Sequence, residues 1–167
     1  MNSDHLQVKQ YVNELISDVA SLQLATLNNN QTINISYTPF ICVEDETHIF
    51  FYIFISELAQ HTQNLKQDSK LSILLIEDES KAKNIFARKR LSLECKSKYI
   101  ERSNKIFIDV IERFKQAHGK TVELLESLPD FHLYQLSALS GSYVHGFGNA
   151  HKLSGKNLTE VEQQTGL

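Results

Sequence analysis

Val8, Tyr11, Val12, Leu15, Ile16 and Val19 recur at three- and four-residue spacing, which predicts an amphipathic helix near the start of the chain. The period then changes. "SLQLATL" and "TINISYTPFICV" are extended runs, and the second alternates Ile33, Ile35 and Tyr37 with Thr32, Asn34 and Ser36. Asn28, Asn29 and Asn30 between them suit the positive φ of a hairpin turn. Pro39 has no N–H to donate, so its strand is expected at a sheet edge or bulged.

After the turn "EDET", the run "HIFFYIFI" is apolar almost throughout, the mark of a strand covered on both faces. Ser56 is placed to cap a short helix, "ELAQHTQNLK", with Leu58, Thr62 and Leu65 on one side. "LSILLI" predicts a core strand. Beyond Glu77-Asp78-Glu79, "ARKRLSLECKSKYI" alternates again. Ile106, Phe107, Val110, Ile111, Phe114 and Ala117 form the stripe of a helix capped by Ser103 and stopped by Gly119. "TVELLESL" predicts a further short helix ended by Pro129. "FHLYQLSAL" and "GSYVHGFG" read as two final strands parted by Ser140-Gly141, before a polar tail from Asn149 with no helix of its own. This order predicts a mainly β protein with flanking helices, an antiparallel barrel, as one domain over residues 1–167.

Charge narrows the function classes. A net charge of -3 argues against broad nucleic-acid or membrane-surface affinity but permits a local basic site. "IFFYIFI" is too short to span a bilayer, and "MNSDHLQVKQ" lacks the pattern of a signal peptide, so a cytoplasmic protein is expected. Cys42 and Cys95 lie far apart with no metal-ligand spacing, which fits two small hydrophobes in a reducing compartment.

Candidate chemistry follows from alternation. Arg88, Arg90, Ser92 and Glu94 are expected on the outer face of a strand, and Lys89, Leu91, Leu93 and Cys95 on the core face. The two guanidiniums would stand roughly 7 Å apart, a spacing that grips carboxylates or a phosphate. The alternative is a solvated edge with ion pairs to Glu77, Asp78 and Glu79. His61 and Asn64 share adjacent parts of a helix surface, by default solvated, that could meet a ligand. Thr26 offers a hydroxyl at a strand end. Asp130 precedes a strand and is able to cap, ion-pair or orient an imidazole. Among seven histidines none pairs at a metal-ligand spacing, and His151, near the tail, is the best placed for a ligand. No nucleophile elbow, phosphate loop or HExxH is present.

Several stretches taken together carry a resemblance. "LQLATL…ISYTPF", "SELAQHTQNL", "LSILLIEDES", "IFARKRLSLE" and "YVHGFGNAHKLSG" are similar to the haem-utilisation branch of the pyridoxamine-5'-phosphate-oxidase-like, FMN-binding split-barrel family, from about Leu22 to Gly155. The resemblance implies an antiparallel split β-barrel and a homodimer with a ligand site where the protomers meet. It implies haem as ligand, with oxygen-dependent haem degradation that releases iron. FMN-dependent oxidoreductase chemistry and a non-catalytic haem carrier or storage protein are the alternatives. By matching motifs, Thr26 and Arg90 correspond to residues near haem, and Asp130 to the aspartate that assists the axial histidine of the other protomer. Arg88, His61 and Asn64 join them as ligand-contact candidates. In that branch the axial histidine lies in the C-terminal tail. The corresponding "NLTEVEQQTGL" has none: either the ligand is supplied elsewhere, with His151 as the candidate, or haem is bound differently, or haem degradation is lost, and residues 149–167 are a segment expected to contact the ligand or the partner protomer.

Overall fold

A computed structural model describes residues 3–45 and 48–164. Glu46 and Thr47 of the "EDET" turn, and residues 165–167 of the tail, lie outside the described residues. Helix α1 (Ser3–Asp18) buries Val8, Val12 and Leu15, as its periodicity predicts. Among the described residues nine strands follow in one antiparallel sheet: β1 (Ser21–Leu27), β2 (Ile33–Pro39), β3 (Ile41–Glu44), β4 (Ile49–Ser56), β5 (Lys70–Ile76), β6 (Arg90–Ile100), β7 (Phe131–Val144), β8 (Ala150–Ser154) and β9 (Glu160–Gln164). Helix α2 (Gln60–Gln67) lies between β4 and β5, and α3 (Lys105–His118) and α4 (Thr121–Ser127) between β6 and β7.

The strand order is β2-β1-β5-β6-β7-β4-β3, with β8 and β9 continuing from β7. β2 and β3 are therefore opposite edges, yet only Phe40 separates them in sequence. A sheet whose two edges are joined by one residue must curl, and without a β2–β3 ladder it stays split. Pro39 sits on the edge strand β2, where its missing N–H costs no ladder bond. Leu22, Leu24, Phe51, Ile53, Ile73, Leu75, Leu91 and Leu93 fill the interior with α1. β4 is apolar on both faces because its other side, at Tyr52 and Phe54, packs on Phe107, Val110 and Phe114 of α3 in a second cluster.

Several local expectations are corrected. The hairpin after β1 places its positive φ at Gln31 (φ 64), not at an asparagine; Asn28 and Asn30 instead hold Thr32 by side-chain hydrogen bonds. Ser56 ends β4 and its Oγ accepts from Leu58 N–H, while α2 begins after Ala59, which makes no side-chain cap. Leu58 is 91% exposed, not an inward residue. Asn104 rather than Ser103 caps α3, its side chain accepting from Ile106 N–H, and Ala117 lies on the exposed side of that helix. Gly119 stops α3 at φ 75, as expected.

Ser140-Gly141 is no turn: β7 runs unbroken through it. The ladder to β6 slips between Glu94 and Cys95, leaving Leu139 unpaired as a bulge. Gly141 lies so close to β6 that a Cβ there would stand 2.4 Å from Ser92 O. The polar tail forms the β8–β9 hairpin, which pairs back onto β7.

Candidate functional site

The registers assign the sheet's two faces. Leu22, Leu24 and Thr26 of β1 are buried, so Ser21, Gln23, Ala25 and Leu27 point outward. Opposite them on β2 stand Pro39, Tyr37, Ile35 and Ile33, and the last three are about 70% exposed. The same outer row continues through Leu74, Ser72 and Lys70 of β5 to Ser92, Glu94 and Lys96 of β6. Among the described residues neither apolar cluster covers this surface.

Around α2 the fold gathers four candidate residues. Thr26 points inward and its Oγ1 accepts from Asn64 Nδ2 at 3.0 Å; the same amide donates to Asn28 Oδ1 at 2.9 Å. One turn earlier, His61 Nδ1 lies 2.7 Å from Ser36 Oγ. Both α2 residues are buried, which overturns the expectation of a solvated helix face. Burial holds the His61 imidazole below the ordinary histidine value, so the ring is neutral at pH 7. Asp130 sits at the other root of α2: its Oδ2 accepts from Ser56 Oγ at 2.9 Å, and its carbonyl accepts from Glu57 N–H. Next to it His132 pairs with Glu57 at 2.8 Å. The Lys66 ammonium, and then His132, hold the Glu57 carboxyl below its usual range. A 470 Å³ cleft opens beside these residues between β2, β4, α3 and α4, lined by Phe54, Ser56, His61, Phe114, His118 and Phe131 among others.

The arginines lie elsewhere. β6 begins at Arg90, so Arg88 is not a strand residue and the two do not form an i, i+2 pair on one ladder. Arg88 Nε donates to Glu77 O and its Nη1 reaches Glu79 Oε1 at 3.1 Å, so this guanidinium braces the acidic turn, as the ion-pair alternative has it. Arg90 Nη1 donates to Arg88 O. Arg90 pairs with Ile76, two residues beyond the Leu74–Gln23 pair, whereas Thr26 lies three residues to the other side. That separates them by about 17 Å along the sheet. Asp130 and Arg90 stand at opposite ends of the long strands, since Arg90 pairs with Val144 and Asp130 precedes Phe131.

His151 is on the arginine end but faces the other way. It pairs with buried Tyr143, and its Nε2 lies 3.2 Å from His145 Nε2 with ring planes 7° apart. The nitrogens are much closer than the 5.3 Å between ring centres, so the rings meet through Nε2, one donating and the other accepting. Burial lowers both imidazoles from their usual value, and for His145 the neighbouring His151 adds to it. Among the described residues no group of three or more His, Cys, Asp or Glu is placed to hold a metal ion. Nor, among the described residues, is any helix long and apolar enough to cross a membrane.

Sequence patterning alone did not bring out Ser56 as the partner of Asp130, nor Ser36 and Asn28 as partners of His61 and Asn64. Their signal lies in long-range register, which no single run carries.

The pattern of the pyridoxamine 5'-phosphate oxidase family matches residues 8–145. The chain is 34% identical over 149 residues to heme oxygenase HutZ of Vibrio cholerae serotype O1, covering 89% of this chain and 82% of that protein. A crystal structure of HutZ, described as the heme storage protein of Vibrio cholerae, aligns with a TM-score of 0.70 at 33% identity, over 77% of this chain and 88% of that chain. The crystal structure of ChuZ from Campylobacter jejuni aligns with a TM-score of 0.81 at 29% identity, over 100% of this chain and 68% of that chain. The antiparallel split barrel read from the sequence is the fold these structures share.

Proposed function

Because the chain belongs to the pyridoxamine 5'-phosphate oxidase family, we propose that it serves haem utilisation by binding haem, as substrate for oxygen-dependent degradation, in a cytoplasmic homodimer. Its similarity to HutZ, called a heme oxygenase in one description and a heme storage protein in another, supports haem as the ligand.

The observation that carries the reading is the uncovered outer sheet face with candidates at both its ends. Thr26, His61 and Asn64, turned to the inner side of the sheet, and Asp130 lie toward one end of its strands, and Arg88 and Arg90 toward the other. No single protomer joins them. A two-fold dimer that packs these faces against each other in opposite directions brings one protomer's α2 end to the other's arginine end. The exposed Ile33, Ile35 and Tyr37 supply the apolar contact such a dimer needs.

The residues fit a porphyrin. A 380 Å³ groove on the outer face is walled by Ala25, Leu27, Ile33 and Leu139, a flat apolar surface of the kind a macrocycle plane covers. Haem, when bound, supplies the oxygen chemistry itself. The chain's part is to hold and orient. Asp130, fixed by Ser56, presents a carboxylate able to accept from an imidazole N–H. Arg90 offers charge-assisted donors to an anionic group. His151 faces the other side of the sheet from this groove and is bonded to His145, so to ligate an iron there it would have to leave both its partner and its side of the sheet.

Titration of the purified protein with haem and with FMN tests this. One haem per protomer with a sharp Soret band is the expected result. Tight FMN binding with no haem spectrum would overturn it and point to flavin chemistry. Ascorbate added to the haem complex separates degradation from storage, since only degradation bleaches the Soret band and releases iron.

A further inference from the structure

Lys70 and Lys96 are register partners across β5 and β6, and both side chains leave the outer face of the sheet. Like charges directly opposite on neighbouring strands are destabilising. Neither ammonium has an ion-pair partner among the described residues. The nearby acids are engaged in part: Asp68 Oδ1 accepts from the Lys70 backbone N–H, and Glu94 Oε2 from Ser140 Oγ. Both lysines line the groove whose apolar wall is Ala25, Leu27, Ile33 and Leu139, with Thr26 beside it. Glu94 lines the same groove with its carboxylate held by Ser140, and the two cations without ion-pair partners outnumber it, so this apolar surface complements an amphiphilic dianion. Arg88, by contrast, is occupied by Glu77 and Glu79.

We infer that Lys70 and Lys96 form the carboxylate clamp of the ligand site, pairing with the two acid side arms of a tetrapyrrole whose ring lies on the Ala25–Leu139 surface. This rests on the haem reading above and adds to it the residues that select for free carboxylates. The repulsion between the lysines is then a cost that the free protein carries and that the ligand's carboxylates relieve on binding.

The test compares haem with its dimethyl ester, which keeps the ring and iron but has no free carboxylate, on the wild type, the single variant K96Q and the double variant K70Q/K96Q. The wild type is expected to favour haem over the ester by about tenfold or more, and the double variant to bind both alike, with K96Q between them. Thermal unfolding of the ligand-free proteins is the second readout. At low salt K96Q should melt about 1–3 °C above the wild type, a gain that shrinks as salt screens the pair. A wild type that does not discriminate the two compounds, or a double variant that keeps the preference, would overturn the clamp while leaving haem binding in place. Absence of any haem complex with the wild type would overturn the haem reading and the clamp with it.

Discussion

Asn64 Nδ2 and Thr26 Oγ1, 38 residues apart in sequence, meet at 3.0 Å and tie α2 to the inner face of β1. Asn64 is 2% exposed and Thr26 3%, so water cannot replace the bond if one partner is lost. Asn64→Ala also orphans Asn28 Oδ1. The variant is expected to lose about 2 kcal/mol of stability in urea unfolding. Thr26→Val, which removes one of the amide's two acceptors but keeps the volume, should lose about 1–2 kcal/mol. A loss under about 0.5 kcal/mol in both would show that this junction does not hold α2 in place.

Arg102 brackets the turn that carries Asp130. Its guanidinium donates to the carbonyls of Glu126 and Leu128 before Asp130 and of Phe131 after it, while stacking over the Phe107 ring. Arg102→Met keeps the stem but removes all three donors. The expected cost is about 1–3 kcal/mol, together with faster amide exchange across residues 128–131. Arg102→Lys, a point charge without the fork, should recover only part of it. Unchanged exchange in Arg102→Met would show the turn to be set by its own backbone.

How much of this was legible in the sequence depends on the range of the interaction. The helix of Val8, Val12 and Leu15 and the doubly buried β4 were readable because each is a local pattern with one period. Ser140-Gly141 was misread because its glycine serves the close approach of Ser92 on another strand, not a turn. Arg88 fell out of alternation for a related reason: the 3-10 turn Ile85–Ala87 before it delays the start of β6 to Arg90. The burial of His61 and Asn64 depends on Ser36 and Thr26 arriving from two other strands, and composition holds no trace of that.

Gly141 offers a direct check of the β6–β7 contact. An added methyl would meet Ser92 O and Leu93 Cδ2, each at 2.4 Å, and the first is backbone that cannot step aside without breaking the ladder. Gly141→Ala is expected to cost about 2–3 kcal/mol. At Gly119 nothing lies within 4 Å of the added atom and only the positive φ resists, so Gly119→Ala should cost about 1 kcal/mol. Equal losses at the two sites in chemical denaturation would rule out the close approach as the reason for Gly141.

The histidines set a pH dependence. His61, His145 and His151 all have imidazoles lowered by burial, so between their native values and the unfolded value near 6.5 the unfolded chain binds more protons. Stability therefore rises with pH across that window. It is fully present above about pH 7.5 and is lost as pH falls below about 6.5, before most carboxylates begin to titrate. For His61, the most buried of the three, the slope is at most about 1.4 kcal/mol per pH unit. Urea midpoints at pH 7.5 and 5.5 should differ clearly in the wild type and less in His61→Gln. An identical pH profile for that variant would exclude His61 as a source.

Ile35 is the centre of the outer apolar row, 73% exposed on an edge strand between Ile33 and Tyr37. It packs on nothing that the chain's own core needs, so a charge there is harmless to the isolated fold. In a dimer built on this face the same charge is desolvated without a partner. Ile35→Lys is thus expected to keep the wild-type circular dichroism while shifting sedimentation at micromolar concentration from dimer to monomer. If the α2 end and the arginines come together across two copies, as proposed, haem affinity should fall by about tenfold or more with it. A wild type that sediments as a monomer would remove the dimer from the proposal. A dimeric Ile35→Lys protein with unchanged affinity would move the interface to another face of the barrel.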